Sequence, residues 1–296
     1  MNYPIYFDDS YVVSGGGLET VRKADEVARR IMDQFPEIKL ASPEPATEEQ
    51  LLLAHTADYV EAFLTGDPYD IASAALGEWS EEVVASVLAS TGGVIAAALM
   101  ALESGKAGSL SSGLHHAKAD HGAGFCTING LAIAALIALD NGAKSVGILD
   151  VDAHCGGGTF DIVGDNPFIR VGDVSTNGYD AWRSGQERHK LEITTDPDTY
   201  LDVVAEMLEH IGRVDLLLLN AGMDPAEGGS TGSTRGFTSE LLEQREVLIA
   251  EWCERTNTPV AFVLAGGYVG SQLTLGGVAD LHMHTVAAIA NATIIL

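Results

Sequence analysis

Short, continuously apolar runs alternate with longer stretches of helical periodicity along the chain. Ser145–Leu149, Phe168–Val171, Val214–Leu219 and Val260–Leu264 are rich in Val, Ile and Leu. Such runs read as strands buried on both faces of a sheet. Asp215 interrupts the third run and marks its entry. Helical patterns occupy Leu18–Met32, Glu48–Phe63 (one or two helices), Glu81–Leu102, Thr127–Leu139, Thr199–Ile211, Ser239–Arg255 and Gln272–Ala290. Strands alternating with helices predict an α/β fold: a single-domain parallel β-sheet flanked by helices on both faces. In such sheets ligands bind beyond the carboxyl ends of the strands.

Composition supports this frame. With 296 residues, 46% of them hydrophobic, the chain can bury one large core. No Pro/Ser-rich linker, repeat or low-complexity tract divides it. The N-terminus lacks the basic and apolar regions of a secretory signal, and the apolar stretches read as too short or too interrupted to span a membrane. Three scattered cysteines, Cys126, Cys155 and Cys253, argue for a reducing compartment, so a cytoplasmic protein is expected. The charge is the exceptional feature: 42 Asp+Glu against 16 Lys+Arg, a formal net charge of -26. That surface repels nucleic acid and anionic membranes, so neither is expected as a direct partner. It draws in cationic substrates, or it serves solubility alone, or it reflects life in high salt.

The polar residues cluster where the sheet argument places a site. Asp150-Val151-Asp152-Ala153-His154 follows one strand, Asn220-Ala221-Gly222-Met223-Asp224 a second, and Gly266-Gly267-Tyr268 a third. Alternation along a strand sends Asp150, Asp152 and His154 to one side. Two carboxylates and an imidazole converging at a buried strand end are hard to hold together without a cation. Mixed Asp/His donors suit zinc, iron or cobalt. A fourth cluster, Ser111 to His116 followed by His121 to Cys126, carries tandem histidines flanked by glycines. Adjacent histidines share a site only if their loop curls around it.

Taken in order, His115-His116-Ala117, Gly124-Phe125-Cys126, Asp150-Val151-Asp152-Ala153-His154, Asn220-Ala221-Gly222-Met223-Asp224 and Gly266-Gly267-Tyr268 resemble the histone deacetylase superfamily, which shares the arginase/deacetylase fold. His55 and Asp58-Tyr59 extend the match toward the N-terminus. The segment Gly77-Glu78-Trp79-Ser80 and the compact region Arg170–Asp202 are most similar to class IV deacetylases and their bacterial relatives. The resemblance implies that residues 1–296 form a single catalytic domain. It also implies a zinc-dependent amidohydrolase removing an acyl group from acyl-lysine or an acylated small amine or polyamine. Asp152, His154 and Asp224 are then the ligands of one Zn2+ per chain, with Fe2+ an alternative and a structural monovalent cation also admitted. His116 is the main general base and acid, His115 an electrostatic support, Asp150 the partner of His115, and Tyr268 the oxyanion donor. Phe125 and Tyr179 form opposite walls of the substrate channel, and the Gly124 backbone accepts the substrate amide N–H. An oligomer is compatible with the resemblance.

The chain departs from the family pattern in three places. Cys155 stands where the family has a second His. Gly157 stands where it has an Asp or Asn that supports the second catalytic His. The first consequence expected is a less basic, less firmly oriented His116, unless water or another side chain substitutes. The second is that Gly157→Asp keeps the fold and moves the acidic limb of the pH–rate profile upward. The third departure is Glu227 to Thr234, which reads as a flexible rim loop that opens the channel. Cys155 reads as a buried, inert thiol. A non-catalytic zinc-binding scaffold is an alternative resting on Gly157 and Cys155. An arginase- or agmatinase-type ureohydrolase is a weaker one, because Gly156 and Ala226 replace the carboxylates that bridge its two metals.

Overall fold

In the computed structural model, residues 3–13 and 19–294 are described; the first residue of the predicted Leu18–Met32 helix lies outside them. The strands are β1 (Pro4–Tyr6), β2 (Lys39–Ala41), β3 (Lys106–Ser109), β4 (Val146–Asp150), β5 (Ile169–Ser175), β6 (Lys190–Ile193), β7 (Leu216–Asn220) and β8 (Val260–Val263). The helices are α1 (Lys23–Gln34), α2 (Glu48–Leu51), α3 (Ala57–Thr65), α4 (Tyr69–Ala72), α5 (Glu81–Ser104), α6 (Gly130–Asp140), α7 (Gly157–Val163), α8 (Tyr200–Ile211), α9 (Ser239–Thr256) and α10 (Leu275–Asn291). The strands form one eight-stranded sheet in the order β2-β1-β3-β8-β7-β4-β5-β6, and every neighbouring pair is parallel.

The apolar runs are continuous because each face of the sheet has its own core. Leu217 and Leu219 of β7 pack with α1, α8, α9 and α10, whereas Leu216 and Leu218 pack with α5 and α6. Phe262 and Val263 of β8 divide between the two cores in the same way. Each fully buried leucine contributes about 1.5–3 kcal/mol. Helix starts are fixed by side-chain caps: Ser80 on α5, Asn129 on α6, Thr238 on α9 and Thr274 on α10 each accept a backbone N–H of the first turn.

Helix α5 corrects one expectation. It runs 24 residues and is long and apolar enough to cross a membrane by length and composition. In the fold it is a core helix packed against α6, β3 and β8.

The order of the central strands positions the site. β3, β8, β7, β4 and β5 are consecutive neighbours. Their carboxyl ends lead into the tandem histidines, Gly266–Tyr268, Asp224, Asp152–His154 and residues 176–180 respectively. The register sets Asp173 of β5, Asp150 of β4 and Asn220 of β7 in one row.

Candidate active site

Asp152, His154 and Asp224 meet beyond β4 and β7, with one donor atom of each within 4.8 Å of the others. His154 Nδ1 lies 3.2 Å from Asp152 Oδ1 and 2.9 Å from Asp224 Oδ2. Each carboxylate is held through an oxygen by backbone donors from a neighbouring segment. Gly266 N–H donates to Asp152 Oδ2 over 2.8 Å, His154 N–H to Asp152 Oδ1 over 3.0 Å, and Ala153 N–H to Asp224 Oδ1 over 2.9 Å. A Cβ at Gly266 would stand 2.3 Å from Asp152 Oδ2, so only glycine brings that N–H so close. Asp224 Oδ2 is buried without a well-aligned hydrogen bond. Burial and the charge of Asp152 both push the Asp224 carboxyl upward. An orphaned carboxylate oxygen beside an imidazole nitrogen and a second carboxylate is a donor set that fits a divalent cation. Beneath it the buried Arg245 donates to the carbonyls of Val151 (3.0 Å) and Gly222 (2.9 Å), tying the segments after β4 and β7 together.

The histidine loop does curl. Leu114 adopts φ 55°, and the rings of His115 and His116 lie 4.0 Å apart at 45°. His115 Nδ1 is 2.7 Å from Asp150 Oδ2, and Asn220 Nδ2 donates to the other oxygen of Asp150 over 2.9 Å. Burial pulls His115 down, but the carboxylates of Asp150 and Asp152 prevail and raise it to about 10. Burial and the neighbouring His115 charge push His116 the other way, toward the neutral imidazole. The two adjacent histidines are thus pushed in opposite directions. Asp173, behind Asp150, accepts from Gly156 N–H (2.8 Å) and Trp182 Nε1–H (2.9 Å) and shapes the turn into α7.

Above this Asp-His-Asp group opens a cleft of about 560 Å³ lined by His116, Gly124, Phe125, His154, Asn177, Tyr179, Thr231 and Tyr268. Phe125 and Tyr179 are both half-exposed, and Tyr179 stands edge-on to His116 with ring centroids 5.0 Å apart. Phe125 takes φ 65°, held by reciprocal backbone hydrogen bonds between Ala123 and Cys126. Burial, with the charges of Asp152 and Asp224, holds the Tyr268 phenol well above its ordinary range, so it stays a donor. Cys155 is buried and its thiol is pushed up to about 12, chiefly by burial, as expected of an inert cysteine.

One expectation is corrected. The segment Glu227 to Thr234 does not hang open. Ser233 Oγ accepts Gly228 N–H (3.0 Å), Gly228 C=O accepts Gln272 N–H (3.2 Å), and Pro225 C=O accepts Thr234 N–H (3.0 Å). Gly232, at φ 80°, approaches so closely that a Cβ would stand 2.6 Å from Ala153 Cβ and 2.9 Å from Asp224 Oδ2. The glycines let this segment pack closely against Ala153, His154 and Asp224 rather than open the channel. For His116 another side chain does substitute, its Nδ1 lying 3.1 Å from Asp180 Oδ2, while burial keeps the ring less basic than usual. Sequence reasoning missed Asp180, Asn220, Asp173 and Arg245 as parts of the site, although Asn220 stood at a named strand end. His55 and Tyr59 lie outside the cleft and brace it from behind. His55 Nδ1 is 2.9 Å from the Lys118 carbonyl, its Nε2 accepts Asn129 N–H (3.0 Å), and Tyr59 donates to Thr127 C=O (2.6 Å).

Comparison with known proteins agrees with this arrangement. The histone deacetylase domain family matches residues 18–278. An uncharacterised protein of Picosynechococcus sp. is 35% identical over 227 residues, spanning 74% of this chain and 75% of that one. Histone deacetylase 2 of Arabidopsis thaliana is 26% identical over 290 residues, 90% of this chain and 75% of the relative. Acetylpolyamine amidohydrolase 2 of Pseudomonas aeruginosa is 27% identical over 183 residues, 55% of this chain and 51% of its own. The crystal structure of the HDA15 HD domain superposes with a TM-score of 0.77 at 19% identity, covering 100% of this chain and 92% of that one, and shows the same fold. With its five strand ends converging on one cleft, the chain belongs to the histone deacetylase domain family.

Proposed function

We propose that the protein is a metal-dependent amidohydrolase that removes an acyl group from acyl-lysine or from an acylated small amine or polyamine. One observation carries this reading: an Asp-His-Asp donor set stands beside the paired rings of His115 and His116, at the floor of a cleft walled by two aromatic rings. Asp152, His154 and Asp224 would hold the ion, and three protein ligands leave it open, unlike a closed structural site. Zinc suits these donors best, with iron the alternative. When bound, the metal supplies Lewis acidity, acidifying water and polarising an amide carbonyl.

The chain's own groups perform the rest. His116, neutral at rest, accepts a proton from the attacking water as the C–O bond forms, then returns it to the amine nitrogen as the C–N bond breaks. His115, kept protonated by Asp150, stabilises the negative charge that develops. Tyr268 donates its hydroxyl to the former carbonyl oxygen. Phe125 and Tyr179 clasp the aliphatic stem of the substrate, and the Gly124 carbonyl receives its amide N–H. The net charge of -26 favours cationic carriers, as lysine-rich peptides and polyamines are. The three unpaired, buried cysteines fit a reducing, cytoplasmic setting.

A screen of acylated lysine peptides and acylated polyamines across chain lengths, combined with metal analysis, tests the reading. Hydrolysis of at least one carrier is expected, with about one equivalent of zinc or iron per chain. Two manganese ions per chain, or a metal-loaded protein inert toward the whole panel, would overturn it.

A further inference from the structure

Gly157 opens α7, and Asp180 lies in the loop that follows β5. A Cβ at position 157 would stand 2.3 Å from the Asp180 carbonyl oxygen, 2.5 Å from Asp180 Oδ1 and 2.6 Å from its Cγ. No residue but glycine at 157 leaves room for Asp180 where it is. The carboxylate occupies that space and reaches two partners. Its Oδ2 lies 3.1 Å from His116 Nδ1, and its Oδ1 accepts from Lys118 Nζ over 3.0 Å. We propose that Asp180 is the positioning carboxylate of His116, clamped by Lys118 and admitted by the missing side chain at Gly157. This rests on the deacylase reading above for its chemical meaning, but not for its geometry.

The placement is built. Thr176 N–H and Asn177 N–H both donate to Ala153 C=O, over 3.0 and 2.7 Å, and Cys155 N–H donates to Tyr179 C=O over 3.0 Å. Residues 176–179 therefore run fastened alongside 153–155. Asp180 itself adopts φ 59°, a left-handed conformation that Asp, Asn and Gly accept more readily than other residues. Its side chain is 14% exposed, and that of His116 5%. Drawing the Nδ1 proton of His116 toward Asp180 leaves the lone pair on Nε2, the nitrogen that must take a proton from water in the cleft. The same loop carries Tyr179, so one fastened segment fixes both a wall of the cleft and the tautomer of the base.

This reverses the expectation for Gly157→Asp. A carboxylate there cannot be added to an otherwise unchanged site, because it must first expel the Asp180 loop. Loss of activity, rather than a moved acidic limb, is the expected result.

The test uses Asp180→Gly, which suits φ 59°, and Asp180→Asn, which keeps one acceptor oxygen for two donors. The first readout is the tautomer of His116 from 15N NMR of the imidazole nitrogens, with and without added zinc. The parent should show Nδ1–H with an unprotonated Nε2, and Asp180→Gly should move the signal toward a mixture. The second readout is turnover on an acyl-lysine peptide. Asp180→Gly should lower kcat about 10- to 100-fold, the usual cost of losing an orienting partner, with KM changed less than about threefold. Asp180→Asn should fall between parent and Asp180→Gly. An unchanged tautomer in Asp180→Gly would overturn the proposal, as would a loss expressed in KM alone, which would make the loop a wall and nothing more. If the parent hydrolyses nothing, the deacylase reading fails, yet the tautomer still decides whether Asp180 orients His116.

Discussion

Tyr268 offers the cleanest separation of chemistry from packing. Its ring lines the cleft while the carboxylates of Asp152 and Asp224 are held by backbone N–H groups of Gly266 and Ala153, not by the phenol. Tyr268→Phe should therefore leave metal content and thermal stability nearly unchanged. It should lower kcat roughly 100-fold or more, the scale for losing one oxyanion donor. Activity within a few-fold of the parent would make Tyr268 structural and the mechanism wrong. The residues legible in the sequence, Asp150, Asp152, His154, Asp224 and the His115-His116 pair, are those whose grouping is set by chain-local spacing or by a strand end. Asp180 was not legible, because its role depends on a close approach to a residue 23 positions earlier in the chain. Gly157 was the only trace of it, and a missing side chain does not name its replacement. Arg245 was hidden for another reason: it lies within α9, where a lone arginine in a helical pattern reads as a solvated face.

At the scale of elements, the junction between α2 and α3 shows how a pattern outside the cleft matters to it. His55 sits there and joins the Lys118 carbonyl to the Asn129 N–H. Its Nε2 must stay unprotonated to accept, and burial holds its pKa down to about 4. The folded value lies below the unfolded one of about 6.5, so the unfolded chain binds a proton that the folded chain refuses. Stability from this group is complete above pH 6.5 and is lost as pH falls toward 4. At pH 5.0 the loss should reach about 2 kcal/mol. Urea titrations at pH 7.5 and 5.0 should show the parent losing that much more than His55→Gln; equal losses would mean the imidazole is solvated. Strand legibility followed length and composition. β4, β7 and β8 announced themselves through branched aliphatic runs. β1, β2 and β6 have only three or four residues each, too few to show a period. β3 reads Lys-Ala-Gly-Ser, yet every residue is buried. Its small side chains make room for neighbours such as the Phe262 ring, 2.3 Å from where a Gly108 Cβ would lie. Lys106 spends its ammonium on the carbonyls of Ile289, Ala290 and Ala292 at the end of α10.

For the whole molecule, the charge of -26 acts over distances that salt shortens. An acylated polyamine that retains free ammonium groups should show a KM that rises several-fold between about 50 mM and 500 mM NaCl. A neutral acyl amide of the same chain length should not. Parallel salt responses would assign the acidity to solubility alone. The backbone N–H that pins Asp152 belongs to Gly266, 114 residues further along the chain. Between them lie β5, β6 and β7 and the whole of α9. A nascent or truncated chain ending before residue 260 would already hold Asp152, His154 and Asp224, yet it would lack the strand whose end fixes their geometry. If the proposed ion binds here, a chain lacking β8 should hold it less tightly than the full one, because the N–H that pins Asp152 follows that strand.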